Sequence, residues 1–176
     1  DLSDTKIDDL SPLSVLHNLK TLNVSNTTIS DLTPLSHNHN LREINIENTE
    51  VQSLKPLHGL SNLVKIYAEG MNLSSEEVYE LKKNQRQLTV IYQTEDLRDW
   101  WENLGDTWRD ILTSHVTCNT NPTAEQLQAI VDLEEIVVDP IYQVETLEPL
   151  SQMSFLRKLE INNNSIRDLS PLSDKY

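Results

Sequence analysis

Apolar residues recur along this chain every 22 residues, so that Ile7, Leu10, Leu13, Leu19, Leu22, Val24 and Ile29 return as Ile29, Leu32, Leu35, Leu41, Ile44, Ile46 and Val51. A third copy runs Val51, Leu54, Leu57, Leu60, Leu63, Ile66 and Ala68, and after a long gap the pattern returns as Val144, Leu147, Leu150, Leu156, Leu159, Ile161 and Ile166. A fixed period of this length marks a solenoid. Within a copy, Leu22 and Val24 alternate with Asn23, which predicts a short strand with one buried face. Pro12, Pro34, Pro56 and Pro149 fall in the same phase. Proline fixes φ and cannot donate to a ladder, so that segment is a returning arm and not a second strand. No single unit can bury its own leucine row, so the units must stack.

The combined pattern L-x-x-L-x-L-x-x-T-x-I-x-x-L-x-P-L resembles a leucine-rich repeat. It is closest in form to the short repeats of internalins and of the leucine-rich regulatory subunit of protein phosphatase 1, over residues 1 to 73 and 127 to 176. The resemblance implies an α/β fold: a leucine-rich-repeat solenoid, a curved right-handed superhelix with parallel strands on its concave face, here interrupted by a helical insert. It also implies a bacterial protein that binds partners on the strand face. Thr27 and Thr49 stand where the wider family often has Asn, and Asn164 restores that residue. Asn38 replaces an expected leucine, which predicts a loosened arm around His37, Asn38, His39 and Asn40.

The interruption carries helical signals. Ser74 followed by Glu77 forms a capping box ahead of Val78 and Leu81. The run from Leu88 to Tyr92 is β-branched and reads as a fourth strand. Leu97, Trp100, Trp101 and Leu104 then fall at spacings of three and four, the stripe of an amphipathic helix. Gly105 ends it, Asp106 caps the next turn, and Trp108, Ile111 and Leu112 continue the stripe. The tryptophans are expected to lid the leucine row at the end of the first block, with Trp100, Trp101 and Trp108 as the alternative aromatic anchors for a partner. Thr123 and Gln126 repeat the capping box before Leu127 and Ile130, and Leu133, Ile136 and Val138 fall on strand positions. The organisation read from this is a first repeat block over 1–93, a Trp-rich helical insert and loop over 94–121, and a second repeat block over 122–176. The insert either closes one solenoid and starts another or bulges from a continuous one, with packing between two similarly directed blocks as the expectation.

Composition narrows the partner. The formal net charge is -14 over 176 residues, which disfavours nucleic-acid phosphates and anionic membranes and favours a basic protein partner. No apolar run reaches the roughly 20 residues of a membrane span, and no signal peptide is visible. The phase of the repeat at Leu2 and at Leu172 reads as a piece cut from a longer protein. Cys118 is the one cysteine, so no internal disulfide forms. The compartment stays open, with a secreted or cell-surface setting favoured over a cytoplasmic one.

Aligned copies place Thr21, Glu43, Lys65, Glu135 and Lys158 in one outward column. Asn23, Asn45, Tyr67, Val137 and Glu160 form the next, and Ser25, Glu47, Glu69, Asp139 and Asn162 the third. Neighbouring strands lie about 4.8 Å apart, so Glu47 and Glu69 are expected to make an acidic stripe with Tyr67 beside it. The candidate face is therefore Glu43, Asn45, Glu47, Lys65, Tyr67, Glu69, Asp139 and Glu160. Calcium between Glu47 and Glu69 lacks an Asp-rich loop to support it, and His17 with His39 lacks the further ligands of a zinc site. No GxSxG, HExxH or glycine-rich phosphate loop is present, and Cys118 has only His115 near it in sequence. Neither catalytic residue, metal nor cofactor is expected. The reading is a non-catalytic protein-binding module, with a structural spacer in a larger protein as the alternative.

Overall fold

The computed structural model describes residues 1–162 and 165–173, which leaves the expectation about Asn164 outside the described residues. It separates into two compact units, residues 1–93 and 94–176. In the first unit each repeat contributes one three-residue strand: β1 (Thr21–Asn23), β2 (Glu43–Asn45), β3 (Lys65–Tyr67) and β4 (Thr89–Ile91). They form one parallel sheet in chain order, with Leu22, Ile44, Ile66 and Val90 in register. The amides of Leu2 and Asp4 donate to the carbonyls of Asn23 and Ser25 at 2.8 and 3.0 Å and so extend the same ladder.

Each arm turns through a short 3-10 segment that carries the phased proline, at Ser11–Leu13, Thr33–Leu35 and Lys55–Leu57. Proline suits this first turn because its missing N–H would have no partner there. The turn is primed by a side chain two residues ahead: Asp9 and Asp31 Oδ1 each accept the amide of Ser11 or Thr33 at 2.8 Å. Side-chain and backbone hydrogen bonds from Ser11 and Thr33 hold both carboxyls below the usual aspartate range. The core is a ladder of identical layers. Leu32, Leu35, Leu41, Ile44 and Ile46 are all buried, and each fully buried side chain stabilises by about 1.5–3 kcal/mol.

Asn38 does not loosen its arm. It occupies the column of Leu16 and Leu60, is fully buried, and its Nδ2 donates to the carbonyls of Leu13 and Leu16 at 3.1 and 2.9 Å. The amide therefore bolts the second repeat to the first, because carbonyls of the preceding turn point into that column. Thr27 and Thr49, in the expected Asn position, donate to the carbonyls of Val24 and Ile46 at 2.6 and 2.7 Å. Each of these bonds lies within its own repeat, and Thr49 Oγ1 also lies 4.0 Å from Met71 Sδ of the next.

In the last repeat of this unit the arm is a helix, α1 (Ser75–Lys82), whose N-cap Ser74 accepts from the Glu77 amide. The reciprocal half of the expected capping box is replaced by a longer tie. The Glu77 carboxylate instead accepts from Ser53 Oγ at 2.9 Å and from the Leu54 amide at 2.8 Å.

The second unit contains α2 (Thr94–Glu102), α3 (Asp106–His115), α4 (Ala124–Val131) and a two-stranded parallel sheet, β5 (Glu135–Val138) with β6 (Lys158–Ile161). Gly105, at φ -68 and ψ 153, is the N-cap of α3, so Asp106 is already inside the helix. Thr123 and Gln126 form the full capping box at α4. The tryptophans pack within their own unit. Trp101 and Trp108 share a core with Leu127, Ile130, Ile136 and Leu150, and Trp108 Nε1 donates to the Thr146 carbonyl at 3.0 Å. Their rings, amphipathic and large, supply the apolar layer that the second repeat block needs at its start. No described helix is long and apolar enough to cross a membrane.

Candidate functional site

The strands fix which side chains share the outward face. Register sets Glu43 beside Lys65 and Asn45 beside Tyr67 on β2 and β3. Glu47 and Glu69 follow those strands, and their main chains remain in the ladder, since Asn26 donates to the Glu47 carbonyl and Asn48 to the Glu69 carbonyl, both at 2.9 Å. The first unit thus brings Glu43, Asn45, Glu47, Lys65, Tyr67 and Glu69 together. Asp139 and Glu160 lie in the second unit.

Local bonds orient these groups. Asn45 Oδ1 accepts the Glu47 amide at 2.9 Å while its Nδ2 donates to Glu47 Oε2 at 2.9 Å. One repeat earlier, Asn23 Oδ1 accepts from the amide and hydroxyl of Ser25 at 2.9 and 2.8 Å. An asparagine ending the strand therefore holds the residue two positions on, and in the second repeat that residue is a carboxylate. Lys65 Nζ lies 5.5 Å from the Tyr67 ring centroid, within cation–π range. The face is consequently not uniformly acidic, because Lys65, in register with Glu43, carries its ammonium over the aromatic ring.

In the second unit the acidic residues are spent on their own structure. Asp139 Oδ1 accepts the Ile141 amide at 2.9 Å. Glu160 pairs with Lys158 at 2.9 Å, and Lys158 also binds Glu135. Those two carboxylates push the Lys158 ammonium up to about 12. Val137, in the same column as Glu160, is 44% exposed.

Of the aromatic anchors, Trp101 and Trp108 are 4% and 5% exposed and present almost no ring to a partner. Trp100 is half-buried, with Nε1 donating to the Pro149 carbonyl at 3.2 Å. His115 is held by the backbone of its own unit. Its Nε2 accepts the Val137 amide at 3.1 Å, which leaves the proton on Nδ1, 2.9 Å from the Ile111 carbonyl. Burial pushes the Cys118 thiol up, away from the reactive thiolate. Among the described residues no group of three or more His, Cys, Asp or Glu could hold a metal ion. Around His17 and His39 it is the main-chain carbonyls that are used, accepting from Asn40 and Asn62 Nδ2 at 2.7 Å each.

Residues 1–37 match the family model for leucine-rich repeats in two copies, and the same parallel strand-and-arm unit continues through the sheet. Over residues 1–37 these units are leucine-rich repeats. No protein of curated function matches the chain in sequence. Among solved structures, this chain is similar to internalin C2 of Listeria monocytogenes, with 19% identity over 99% of this chain and 55% of that one, at a TM-score of 0.48. It is also similar to the functional domain of InlJ from Listeria monocytogenes, described as including a cysteine ladder, with 17% identity over 96% of this chain and 35% of that one, at a TM-score of 0.38. The chain thus spans about half the length of the first and about a third of the second.

The sequence columns located the strand-face residues but passed over a set of cations just ahead of the strands. Lys20 and Arg42 occupy equal positions in adjacent repeats, and Arg86 lies in the turn before β4. The 22-residue spacing of Lys20 and Arg42 was the available signal.

Proposed function

We propose that this chain is a non-catalytic protein-binding module whose first unit receives a basic segment of a protein partner on the face of β2 and β3. The observation that carries this reading is that Glu47 and Glu69 hold equivalent main-chain positions in neighbouring repeats, with Asn45 orienting the Glu47 carboxylate. Strand spacing of about 4.8 Å puts two like charges side by side. A lysine or arginine from a partner is attracted by both carboxylates at once. Tyr67 offers an aromatic contact beside them, a residue type enriched at interface hot spots. Asp139 and Glu160 are secondary contributors, because they belong to the second unit.

A defined basic peptide, such as a short oligolysine, tests this by calorimetry and amide shift mapping at two salt concentrations. Wild-type protein is expected to bind with shifts centred on Glu47 and Tyr67, weakening with salt. The Glu47→Lys/Glu69→Lys variant should lose binding, while Glu76→Lys/Glu145→Lys, which changes net charge equally at exposed sites elsewhere, should retain it. Equal losses in both variants would mean that only overall charge matters, and the face would have no special role.

A further inference from the structure

The first unit also carries a patch of the opposite sign. An open groove of about 450 Å³ runs along the side where the arms return to the strands, and Lys20, Arg42, Arg86, Asn40, Asn62 and Asn84 are among its lining residues. No Asp or Glu lines it, although the chain holds 28 of them. Lys20, Arg42 and Arg86 are all exposed, and none is in an ion pair among the described residues. The other clustered cations are committed: Lys83 to Glu80, Arg109 to Asp106, and Lys158 to Glu135 and Glu160.

The scaffold beneath these cations is rigid. The Arg42 amide donates to the Lys20 carbonyl at 2.8 Å and the Val64 amide to the Arg42 carbonyl at 2.8 Å, so the groove floor is part of the sheet ladder. Asn40 and Asn62 each spend one Nδ2 proton on the carbonyl of His17 or His39. That leaves each amide a second N–H and an Oδ1, which make no hydrogen bond among the described residues. An amide with one donor and one acceptor to offer matches a peptide backbone.

We propose that this groove binds a short acidic segment of a protein partner, with Arg42 and Arg86 taking carboxylates, Lys20 flanking them, and Asn40 and Asn62 contacting the backbone. Guanidinium groups suit carboxylates because their paired donors match both oxygens. A pocket of this volume holds a few residues. The net charge of -14 argues against a long, uniformly charged polyanion, which would run out of the groove into an acidic surrounding. A short acidic segment avoids that, since charges beyond about 8 Å are screened at physiological salt. This site is separate from the Glu47 and Glu69 face and stands or falls independently of it.

The test uses the whole chain with a labelled oligoglutamate peptide, and a heparin-type polysaccharide as the competing probe. Oligoglutamate should bind with amide shifts at Arg42, Asn62 and Arg86. Arg42→Ala and Arg86→Ala should each weaken it about tenfold, as expected for loss of one charge-assisted contact. Lys6→Ala/Lys55→Ala, a loss of two exposed cations elsewhere, should change binding less than twofold, and unchanged circular dichroism should accompany every variant. Arg42→Lys should recover only part of the affinity, because an ammonium cannot make the paired contact. Binding of oligoglutamate that is insensitive to Arg42 and Arg86, binding of the polysaccharide alone, or binding of neither probe would each overturn the proposal. Loss of oligoglutamate binding in Glu47→Lys/Glu69→Lys would also count against it, since those residues lie outside the groove.

Discussion

Asn48 donates its side-chain amide to Asn26 Oδ1 at 2.9 Å, and both residues hold left-handed φ values, 53 and 56. The relationship extends in both directions: Asn26 Nδ2 donates to Asp4 Oδ1 at 3.0 Å, and Gly70, at φ 72, is next above Asn48. Each repeat leaves its strand through a residue that tolerates this backbone, and the short amide or carboxylate there doubles as the tie to its neighbour.

Gly70 closes that ladder, and its replacement is expected to be costly. A Cβ there would lie 2.2 Å from Asn48 Oδ1, and the positive φ strains any side chain. Gly70→Ala should destabilise the first unit by about 1–3 kcal/mol in urea unfolding. Asn48→Gly relieves both the contact and the φ cost while losing one tie, so it should cost less than Asn48→Ala. In the Asn48→Gly background Gly70→Ala should be milder, and strictly additive losses in that cycle would show that the two positions do not interact.

Asn38 provides a graded test of the buried bolt. Its Nδ2 is bonded twice, but its Oδ1 is buried without a hydrogen-bond partner. The two acceptor carbonyls, of Leu13 and Leu16, also receive the amides of Leu16 and Leu19. Asn38→Leu, which restores the column residue, should therefore be close to neutral. Asn38→Ala should cost about 1–3 kcal/mol through lost bonds and volume. Asn38→Asp should be the worst, by about 3 kcal/mol or more, because it aims a carboxylate at two carbonyl oxygens. A thermal-melt series over the three variants reads the order directly.

The aspartates ahead of the arm turns predict an acid sensitivity. The carboxyls of Asp9 and Asp31 are lowered first by side-chain and then by backbone hydrogen bonds from Ser11 and Thr33, and that of Asp168 first by the backbone bond from Ser170. A depressed folded-state value means the native state binds protons less readily than the unfolded chain. The stabilisation is thus complete above the ordinary aspartate value of about 3.9 and is lost as pH falls below it through the folded-state values. Asp31→Asn, which keeps an acceptor oxygen but does not titrate, should flatten the acid limb of stability against pH. A curve with the same acid slope as wild type would remove Asp31 from that account.

Much of the first unit was legible because one residue type at one spacing has one cause. Leu22, Ile44 and Ile66 are a buried column, and the prolines mark the arm. Legibility failed where a polar residue entered an apolar column: Asn38 looked like a weak point because the carbonyls that it satisfies belong to the preceding repeat. It failed again at Glu77, whose local motif predicted a bond to its own helix, yet Ser53 and Leu54 in the preceding repeat hold it. The helical period of Trp101 and Trp108 announced burial but not against what, since apolar stripes carry no address. For the strand face, the columns were readable, whereas the intervening Lys65 contact with Tyr67 and the ion pairs of Glu160 depend on rotamers that spacing does not encode.

The imidazole of His115, accepting from the Val137 amide and donating to the Ile111 carbonyl, has a consequence for the solubility of the second unit. An unpaired β-edge is a template on which foreign chains can zip and cross-β fibres can nucleate. A strand approaching β5 at Val137 would have to evict a ring anchored by two hydrogen bonds at the end of α3. The imidazole thus occupies the edge amide of Val137 on a strand that carries the exposed Val137 and is followed by the exposed Ile141.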